Sequence, residues 1–366
     1  MRVLVTGSNG FIGKNLISCL QEKENIDIIP FDIDTPFSLI EENIKEIDFI
    51  YHLAGINRPK DNNDFKENSS LTKKIIDLLI KNNLKTPFLL SSSTQAILDN
   101  DYGKSKKEAE DIVFEYGKNA PVYVYRLNNV FGKWCKPNYN SVVATFCHNI
   151  ANDLDITITD KRKELKLIYI DDIVNDFLSL LDKKDYTNKV LYIKPIYKIT
   201  LGELANKLYY MKECMQSISV PETGDEFTKK LFSTFVSYYP KENMAFSAKM
   251  NIDDRGSFTE LVRTLSSGQF SVSVTHPGIT RGNHYHHTKM ERFILVKGTA
   301  KITFEHVLTH EKVEFIVDEN DIKIVTIPVG YTHNIENIGN TDMVLILWCN
   351  ELFDKNRPDT FYKPIQ

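Results

Sequence analysis

Hydrophobic and polar positions in the first half of the chain alternate between two kinds of segment. Short apolar runs, typical of buried strands, are followed by longer stretches with apolar residues at helical spacing. The predicted strands are residues 3–6, 26–31, 49–53, 87–92 and 122–127. The predicted helices are residues 12–20, 66–82 and 104–116. Repeated strand–helix units of this kind predict an α/β Rossmann-type fold, a doubly wound parallel sheet.

The pattern changes in the second half. Residues 200–239 have amphipathic helical periodicity. After residue 254 the chain consists of short alternating segments separated by Gly, Asn and Asp, namely residues 258–265, 269–276, 291–298, 300–308, 312–318, 322–328 and 343–350. Many short strands with turn residues between them predict an all-β antiparallel barrel. We place the boundary in the mixed polar stretch after residue 240, which gives domains 1–245 and 246–366.

Composition narrows the class of protein. The formal net charge is -4 over 366 residues, without a basic stripe, so we expect no nucleic-acid partner. The five cysteines are scattered and contain no CxxC pair, which favours reduced thiols and a cytoplasmic location. No apolar run approaches the ~20 residues of a membrane helix, and the first residues already form a strand and a turn. We therefore expect neither a membrane span nor a signal peptide.

A glycine-rich turn, GSNGFIG, follows the first predicted strand. Gly7, Gly10 and Gly13 are spaced so that the backbone turns tightly and approaches a pyrophosphate, with Phe11 and Ile12 in the first helical turn. The N-terminus of the helix then carries backbone N–H groups and a partial positive charge that suit phosphate. In this position the motif predicts a site for a dinucleotide, NADH or NADPH.

Asp32 lies at the end of the second predicted strand. A carboxylate there can accept from a ribose 2′-hydroxyl and repel a 2′-phosphate. In the other interpretation Asp32 is a solvated loop acid and Asp34 has this role. No arginine follows closely, so the residues favour NADH or the use of both cofactors.

A tyrosine and a lysine, Tyr102 and Lys106, are one helical turn apart on one face. The lysine ammonium is expected to lower the pKa of the phenol. Tyr102 can then exchange the proton that accompanies hydride transfer to or from a ketone. Ser93, at the end of the fourth strand, would bind the substrate oxygen, with Ser92 and Thr94 as neighbouring candidates.

A second cluster of candidate residues lies in the later half. His284 and His286 alternate along a predicted strand and so face the same side, and Glu291 follows on the next strand. His333, in IPVGYTHNIEN, can complete the set. Three imidazoles and a carboxylate predict a site for one divalent first-row metal ion, with zinc as the first choice. The alternative is a strand of hydrogen-bonded or solvated histidines.

The motifs of the first half resemble those of extended short-chain dehydrogenases that act on nucleotide sugars. The matching stretches are TGSNGFIG, HLAG, SSS, YGKSK, RLNNVFG and YIDD. The resemblance implies cofactor contacts by Leu53 and Ala54. It also implies that Arg126, Asn129 and Lys133 contact the diphosphate and uridine of the substrate, although ordinary packing and surface charge would explain them too.

The spacing of the histidines resembles the two motifs of the cupin superfamily, with Ile322 where the second motif usually begins with glycine. TRGNHYH also resembles metal-free sugar epimerases and isomerases of cupin fold, in which a histidine at the position of His284 is the base. A metal-bound imidazole cannot be that base, because its lone pair is occupied. If all four residues bind metal, Tyr285 and Tyr331 are the nearby candidates for the base.

From end to end, the chain resembles a family of bifunctional enzymes of capsular-polysaccharide synthesis, in the bacterial route to UDP-N-acetyl-L-fucosamine. The stretches KWCKPNYNSV, DDRGSFTE, PVGYTHNIEN and TDM carry this resemblance. It implies that the cupin epimerises C3 of a UDP-2-acetamido-2,6-dideoxy-4-hexulose. The dehydrogenase domain then reduces the C4 ketone with NAD(P)H, giving UDP-2-acetamido-2,6-dideoxy-L-talose.

The family is associated with NADPH, which leaves the choice between NADPH and NADH open. We also expect a homodimer that uses this UDP-linked 4-keto amino sugar. Two other hypotheses remain: a reductase whose cupin is only structural, and a non-catalytic nucleotide-sugar sensor.

Overall fold

The computed structural model describes residues 1–57, 65–183 and 188–366. The chain divides into two compact units. Unit 1 comprises Met1–Leu208 and Lys230–Tyr239, and unit 2 comprises Tyr209–Lys229 and Pro240–Gln366. The domain boundary between residues 245 and 246 stays a prediction. Within the described ranges, none of the helices combines the length and apolar character that a bilayer crossing requires.

The strands of unit 1 confirm the expected parallel sheet. They are β1 (Arg2–Thr6), β2 (Asp27–Phe31), β3 (Phe49–His52), β4 (Phe88–Ser93), β5 (Val122–Leu127), β6 (Asn129–Phe131), β7 (Glu164–Tyr169), β8 (Val190–Leu191) and β9 (Tyr197–Thr200). The main sheet has the order β2-β1-β3-β4-β5-β8 with parallel pairing throughout, and β6, β7 and β9 form a small separate sheet. From β1 the chain adds β2 on one side of the sheet and then β3, β4 and β5 on the other. Rossmann-type sheets bind ligands at this change of side, between β1 and β3.

The helices are α1 (Phe11–Gln21), α2 (Ser38–Asn43), α3 (Glu67–Lys81), α4 (Asp101–Tyr116), α5 (Val142–Ala151), α6 (Ile170–Ser179), α7 (Leu201–Met215) and α8 (Glu226–Val236). Helix α4 begins before the predicted residue 104, because the Asn100 side chain accepts a hydrogen bond from the Gly103 N–H at 2.7 Å. This N-cap satisfies one first-turn donor and brings Tyr102 into the helix.

The two faces of the main sheet bury different side chains, because residues alternate along each strand. Leu4 points into a core with the apolar faces of α3 and α4. Its neighbours Val3 and Val5 point into a second core with α1 and α6. Because helices cover both faces, β1 and β3 are buried at nearly every position.

Unit 2 contains the expected antiparallel β region. Its strands are β10 (Met250–Asp253), β11 (Gly256–Thr264), β12 (Gly268–Thr275), β13 (Thr280–Tyr285), β14 (Glu291–Lys297), β15 (Thr299–His306), β16 (Lys312–Asp318), β17 (Ile324–Ile327), β18 (Tyr331–Asn337), β19 (Met343–Cys349) and β20 (Phe361–Tyr362). They form two sheets, with the orders β10-β11-β12-β19-β14-β17 and β16-β15-β18-β13-β20. Buried side chains of both sheets, including Leu295 and Ile302, pack in one apolar core.

Candidate active sites

The glycine turn of unit 1 has no room for a side chain at two of its positions, Gly7 and Gly13. Gly7 has φ +66°, and a Cβ there would lie 2.8 Å from the backbone nitrogen of Ala54. A Cβ at Gly13 would lie 2.2 Å from the carbonyl oxygen of Gly7. The turn therefore packs directly against residues Leu53 and Ala54 at the end of β3. Gly10 is the N-cap of α1, so the first-turn amides of that helix are presented beside this turn.

Asp32 is connected to the same turn. Its carboxylate accepts hydrogen bonds from the N–H of Asn9 at 2.7 Å and from the N–H of Ile33 at 2.9 Å. Asp34, the alternative, is exposed and two residues further along the chain. Of the two, Asp32 is the carboxylate that lies against the glycine turn, and its proposed contact with a ribose stays a prediction.

His52, in the HLAG motif, has a supporting role that sequence reasoning missed. The Thr72 hydroxyl donates its one proton to the Asn68 carbonyl at 2.8 Å. In its contact with Nε2 of His52, at 2.9 Å, the Thr72 oxygen must therefore accept. Nδ1 of His52 then accepts from the Thr6 hydroxyl at 2.8 Å, and that oxygen accepts from the Ala54 N–H. Burial lowers the pKa of His52 to about 3, so the ring is neutral and this network fixes the backbone beside Gly7.

Asn68 is another residue that sequence reasoning missed. Its side chain accepts from the N–H of Ile56 at 2.7 Å, and its amide nitrogen donates to the Ile56 carbonyl at 3.0 Å. The same nitrogen donates to the hydroxyl of Ser105 at 3.1 Å. Asn68 thus connects α3, the loop after β3 and α4. Its only sequence signal was a polar residue at a position where the helical periodicity faces inward.

The tyrosine site comprises Ser93, Tyr102 and Lys106, which the structure brings together. Burial raises the pKa of Tyr102, and a hydrogen bond with Ser93 opposes that rise. The ammonium of Lys106 donates to the Ser91 carbonyl at 3.1 Å, and burial lowers its pKa to about 8. The pKa of Tyr102 is thus raised, and not lowered as the neighbouring Lys106 led us to expect, because desolvation of the phenolate outweighs the hydrogen bond with Ser93.

The consecutive serines at the end of β4 have different hydrogen-bond partners. The Ser92 hydroxyl donates to the buried carboxylate of Glu110 at 2.6 Å. Ser93 contacts Tyr102 and accepts from the N–H of Gln95 at 3.1 Å. Of the neighbouring candidates, Ser93 is therefore the one placed to share a substrate oxygen with Tyr102.

The three candidate substrate residues have different environments. Arg126 forms a bidentate ion pair with Glu110, at 2.8 and 2.6 Å, and Glu110 is fully buried. Lys133 donates to Asp171 at 2.6 Å and remains about one-third exposed, at 35%. Asn129 is exposed at the start of β6. The geometry favours a structural role for Arg126, while substrate contact by Lys133 and Asn129 stays a prediction.

The histidine cluster of unit 2 comprises His284, His286, Glu291 and His333. A β-bulge lies in β13 between Gly282 and His284, where Gly282 has φ +106° and a Cβ would lie 2.7 Å from the His333 carbonyl. The register after the bulge places His284 directly opposite His333 on β18. His286 lies just after the end of β13, rather than within the strand as its alternation with His284 suggested.

One potential ligand atom from each of the four residues lies within 4.8 Å of the others. Oε2 of Glu291 is 3.1 Å from Nε2 of His333, and Oε1 is 3.7 Å from Nε2 of His286. His286 and His333 are almost fully buried. The structure therefore brings together all four residues that the sequence suggested as metal ligands.

Hydrogen bonds indicate which ring nitrogens carry protons. Nδ1 of His286 is 2.6 Å from the Asp359 carbonyl, which can only accept, so this nitrogen donates. Nδ1 of His333 has a longer contact, 3.4 Å, with the Tyr331 carbonyl. Nε2 of His333 is within hydrogen-bond distance of Oε2 of Glu291, at 3.1 Å, whereas the Nε2 lone pair of His286 faces Oε1 of Glu291 at 3.7 Å. A cation between His286 and Glu291 would remove the repulsion between these two electron-rich atoms.

A donor set of this kind fits a divalent metal ion. Within the described part of the chain, Nε2 of His286 is buried without a hydrogen-bond partner. Burial and the neighbouring His333 lower the pKa of His284 to about 4, so its imidazole is neutral. Burial alone would raise the pKa of Glu291, but contacts with His286 and His333 bring it below the ordinary value. Neutral imidazoles and a charged carboxylate are the forms that bind zinc.

The two tyrosines suggested as an alternative base have packing partners. The ring of Tyr285 stacks on Phe361 with a centroid distance of 5.3 Å. The ring of Tyr331 contacts His306 edge-on at 4.9 Å. Packing explains both positions, so the geometry does not select either tyrosine as the base.

Two family models match the chain. Residues 3–193 match the NAD dependent epimerase/dehydratase family, and residues 251–361 match the polysaccharide biosynthesis C-terminal domain. A Pseudomonas aeruginosa UDP-2-acetamido-2,6-beta-L-arabino-hexul-4-ose reductase is 43% identical over 364 residues, which cover 99% of this chain and 98% of the relative.

Solved structures resemble the chain at two levels. The crystal structure of the capsular polysaccharide assembling protein CapF from Staphylococcus aureus covers 100% of both chains, with 42% identity and a TM-score of 0.91. A Thermotoga maritima UDP-glucose 4-epimerase covers 65% of this chain and 98% of its own, with 20% identity and a TM-score of 0.56. The second likeness shows the fold alone.

Proposed function

Because the chain belongs to the NAD dependent epimerase/dehydratase family, we propose that it is a bifunctional enzyme acting on a UDP-linked sugar. Unit 1 reduces a C4 ketone and unit 2 epimerises C3. The substrate is a UDP-2-acetamido-2,6-dideoxy-4-hexulose, and the product is UDP-2-acetamido-2,6-dideoxy-L-talose. The full-length similarity to the hexul-4-ose reductase supports the reductive activity.

The reductive site consists of the glycine turn and the tyrosine site. A bound nicotinamide cofactor would supply hydride to C4. Gly7, Gly10 and Gly13 would leave room for its pyrophosphate at the N-terminus of α1. The Tyr102 hydroxyl would donate a proton to the ketone oxygen, and Ser93 would orient that oxygen by a hydrogen bond. The single observation that carries this assignment is the position of the buried Lys106, one helical turn after Tyr102 on α4, whose ammonium donates at 3.1 Å to the Ser91 carbonyl on the strand that ends at Ser93.

Either NADH or NADPH is a candidate cofactor. The Asp32 carboxylate at the glycine turn favours NADH, because it would repel a 2′-phosphate. The resemblance to an NADPH-associated family argues for NADPH. We propose that NADH is used at least as well as NADPH.

The epimerising site is the histidine cluster, in a region that we propose to be a cupin barrel. His284, His286, Glu291 and His333 would hold one divalent ion, zinc in the first instance. The ion would stabilise negative charge on the ketone oxygen, which makes the C3 proton easier to remove. In the metal-free alternative His284 would be the base, a role that a metal-bound imidazole cannot have.

The two activities depend on the same ketone. A proton on C3 is acidic only while C4 is a carbonyl carbon. Reduction of C4 removes that acidity, so reduction after epimerisation makes the new configuration at C3 hard to reverse. We place this chemistry in the synthesis of capsule or O-antigen precursors, and the likeness to CapF supports that assignment. The homodimer and the cytoplasmic location expected from the sequence stay predictions.

A cofactor-oxidation assay with UDP-4-keto amino sugars tests the reductive activity. We expect oxidation of NADH or NADPH that depends on the sugar, with the C4 alcohol as the product. Binding of the sugar without any oxidation would instead support a non-catalytic nucleotide-sugar sensor.

Isotope exchange distinguishes the bifunctional enzyme from a reductase whose cupin is only structural. Without cofactor in D2O, the bifunctional enzyme incorporates deuterium at C3, and His284→Ala loses this incorporation. If the wild-type protein reduces the ketone but never exchanges C3, unit 2 is structural.

A further inference from the structure

The C-terminal segment, residues 351–366, returns to the histidine cluster and is here named the tail. Its strand β20 pairs with β13, with Tyr362 opposite His284 and Phe361 opposite Tyr285. Lys363 donates through its backbone N–H to the Asn283 carbonyl at 2.9 Å. The tail is therefore a neighbour of the strand that carries the first histidine of the cluster.

Asp359 anchors the tail to the loop between β13 and β14. Its carboxylate accepts from the N–H groups of His287, Thr288 and Lys289, at 3.1, 2.8 and 2.8 Å. The hydroxyl of Thr288 adds a fourth bond at 3.0 Å. Burial would raise the pKa of Asp359, but these backbone hydrogen bonds together stabilise the charged form and keep the pKa below its ordinary value. One side chain thus binds three consecutive amides of the loop that follows His286.

The backbone of the same residue contacts His286. Its carbonyl accepts from Nδ1 of His286 at 2.6 Å. Asp359 has φ +43°, a left-handed conformation that aspartate and asparagine tolerate better than most residues. The Lys289 ammonium donates to the adjacent Pro358 carbonyl at 2.8 Å, which further fixes the backbone at this point. The side chain and the carbonyl of Asp359 therefore bind neighbouring parts of one loop.

We propose that Asp359 is a positioning residue for the metal ligand His286. The proposal rests on the metal site of the proposed function. The carboxylate fixes the loop, and the loop fixes the distance from the carbonyl to Nδ1. That hydrogen bond keeps the proton on Nδ1 and directs the Nε2 lone pair toward Glu291. Hydrogen bonds of this kind to the second nitrogen of a metal-binding histidine fix both its tautomer and its orientation.

Three variants of the full chain separate this role from a general effect of the tail. Asp359→Ala removes the anchor and adds strain at a positive φ. Asp359→Asn keeps an oxygen that can accept and tolerates the same backbone conformation. Asp354→Ala is the matched control, because Asp354 is an exposed aspartate of the tail whose side chain accepts only from the N–H of nearby Asn356, at 2.9 Å, among the described residues.

The first measurement is the affinity for Zn²⁺ alone, by competition with a chromophoric chelator. We expect Asp359→Ala to weaken binding by about 10–100-fold, as other residues that orient metal ligands do. Asp359→Asn should restore most of the affinity and Asp354→Ala should leave it unchanged. Equal affinity in Asp359→Ala and the wild-type protein would overturn the proposal.

The second measurement is the tautomer of His286 in metal-free protein, from the ¹⁵N chemical shifts of its ring. The wild-type ring should carry its proton on Nδ1, and Asp359→Ala should give a mixture. This signature would not change if Asp359 contributed only stability. A wild-type protein that binds no Zn²⁺ contradicts the metal site of the proposed function, yet the tautomer still tests Asp359. An unchanged tautomer in Asp359→Ala contradicts the positioning role.

Discussion

The tyrosine site of unit 1 and the histidine cluster of unit 2 satisfy their buried polar groups in different ways. In unit 1, Lys106 donates to the Ser91 carbonyl, and Ser92 and Arg126 both donate to the buried Glu110. In the histidine cluster, Nε2 of His286 is buried without a hydrogen-bond partner among the described residues. The tyrosine site therefore satisfies these buried polar groups within the chain, whereas the histidine cluster leaves the Nε2 lone pair of His286 facing Glu291.

This difference indicates what each site requires from outside the chain. A site whose charges are paired internally is ready to orient an organic substrate and a proton. The histidine cluster has room for a cation, because the buried Nε2 lone pair of His286 faces the Glu291 carboxylate without a hydrogen bond between them. The two sites should therefore respond independently to mutation and to metal removal.

Tyr102→Phe should have the largest effect on reduction. Loss of the phenolic proton is expected to lower the rate of ketone reduction by about 10²–10⁴-fold, the usual contribution of a general acid. Exchange of the C3 proton with D2O should continue, because that chemistry belongs to the histidine cluster. Cofactor oxidation and NMR measure the two activities on the same preparation.

Tyr116→Phe is a matched control for this experiment. Tyr116 is a buried tyrosine on the same helix, and its hydroxyl donates to the Thr86 carbonyl at 3.0 Å. It should lose about 1 kcal/mol of stability and keep its reductase rate. Near-normal reduction by Tyr102→Phe would contradict the assignment of the proton donor.

His333→Ala should remove the metal ion and C3 exchange together. We expect about one zinc ion per chain in the wild-type protein, since the site offers four protein ligands, and almost none in the variant. Cofactor binding to unit 1 should be unchanged, which titration with NADH or NADPH can measure.

His276→Ala is the control, since His276 is half-exposed and pairs with Asp342 at 2.9 Å, outside the cluster. A fully active protein without metal would overturn the metal site. The role of base would then return to His284.

Glu110→Gln should mainly affect stability. It would leave the Arg126 guanidinium, which is 14% exposed, without its carboxylate, and loss of one partner of such a buried pair costs about 3 kcal/mol or more. Denaturant unfolding measures this, with the exposed Glu108→Gln on the same helix as the control.

Arg126→Ala tests the other interpretation of the same pair. An unchanged free energy of unfolding together with a raised KM for the UDP-sugar would assign Arg126 to the substrate. We expect the opposite result, a loss of stability in both variants.

Asp32→Asn should have the smallest effect, a change in cofactor preference. Removing a charge near the ribose relieves about 1 kcal/mol of repulsion, so the NADPH to NADH ratio of initial rates should rise about fivefold. Asp34→Asn is the control and should leave the ratio unchanged. A strong preference of the wild-type protein for NADPH would show that Asp32 does not contact the ribose.

The sequence predicted strands β1 to β5 and most of the longer strands of unit 2, since these are short apolar or alternating runs. It did not predict strands β6 to β9 or helices α5 and α6. It also placed the start of α4 too late, because the N-cap at Asn100 outweighs the lack of apolar residues in the first turn. Local hydrogen bonds of this kind leave little trace in periodicity.

The site residues could be predicted where their spacing along the sequence is typical of a known kind of site, as for Tyr102 with Lys106 and for the histidines. Their supporting partners were not. Asp359 and His286 are 73 residues apart in the sequence, and only the fold brings them together. The rise in the pKa of Tyr102 was also missed, because burial depends on packing and not on the neighbouring charge alone.

If one chain performs both reactions on one sugar, the positions of deuterium and protium in the product follow from the two reactions. The wild-type protein is incubated in D2O with a UDP-2-acetamido-2,6-dideoxy-4-hexulose and unlabelled NADH or NADPH, and the product is examined by NMR. We expect deuterium at C3, from exchange with solvent, and protium at C4, from the cofactor. Protium at both positions in a reduced product would contradict it, because reduction would then proceed without epimerisation at C3.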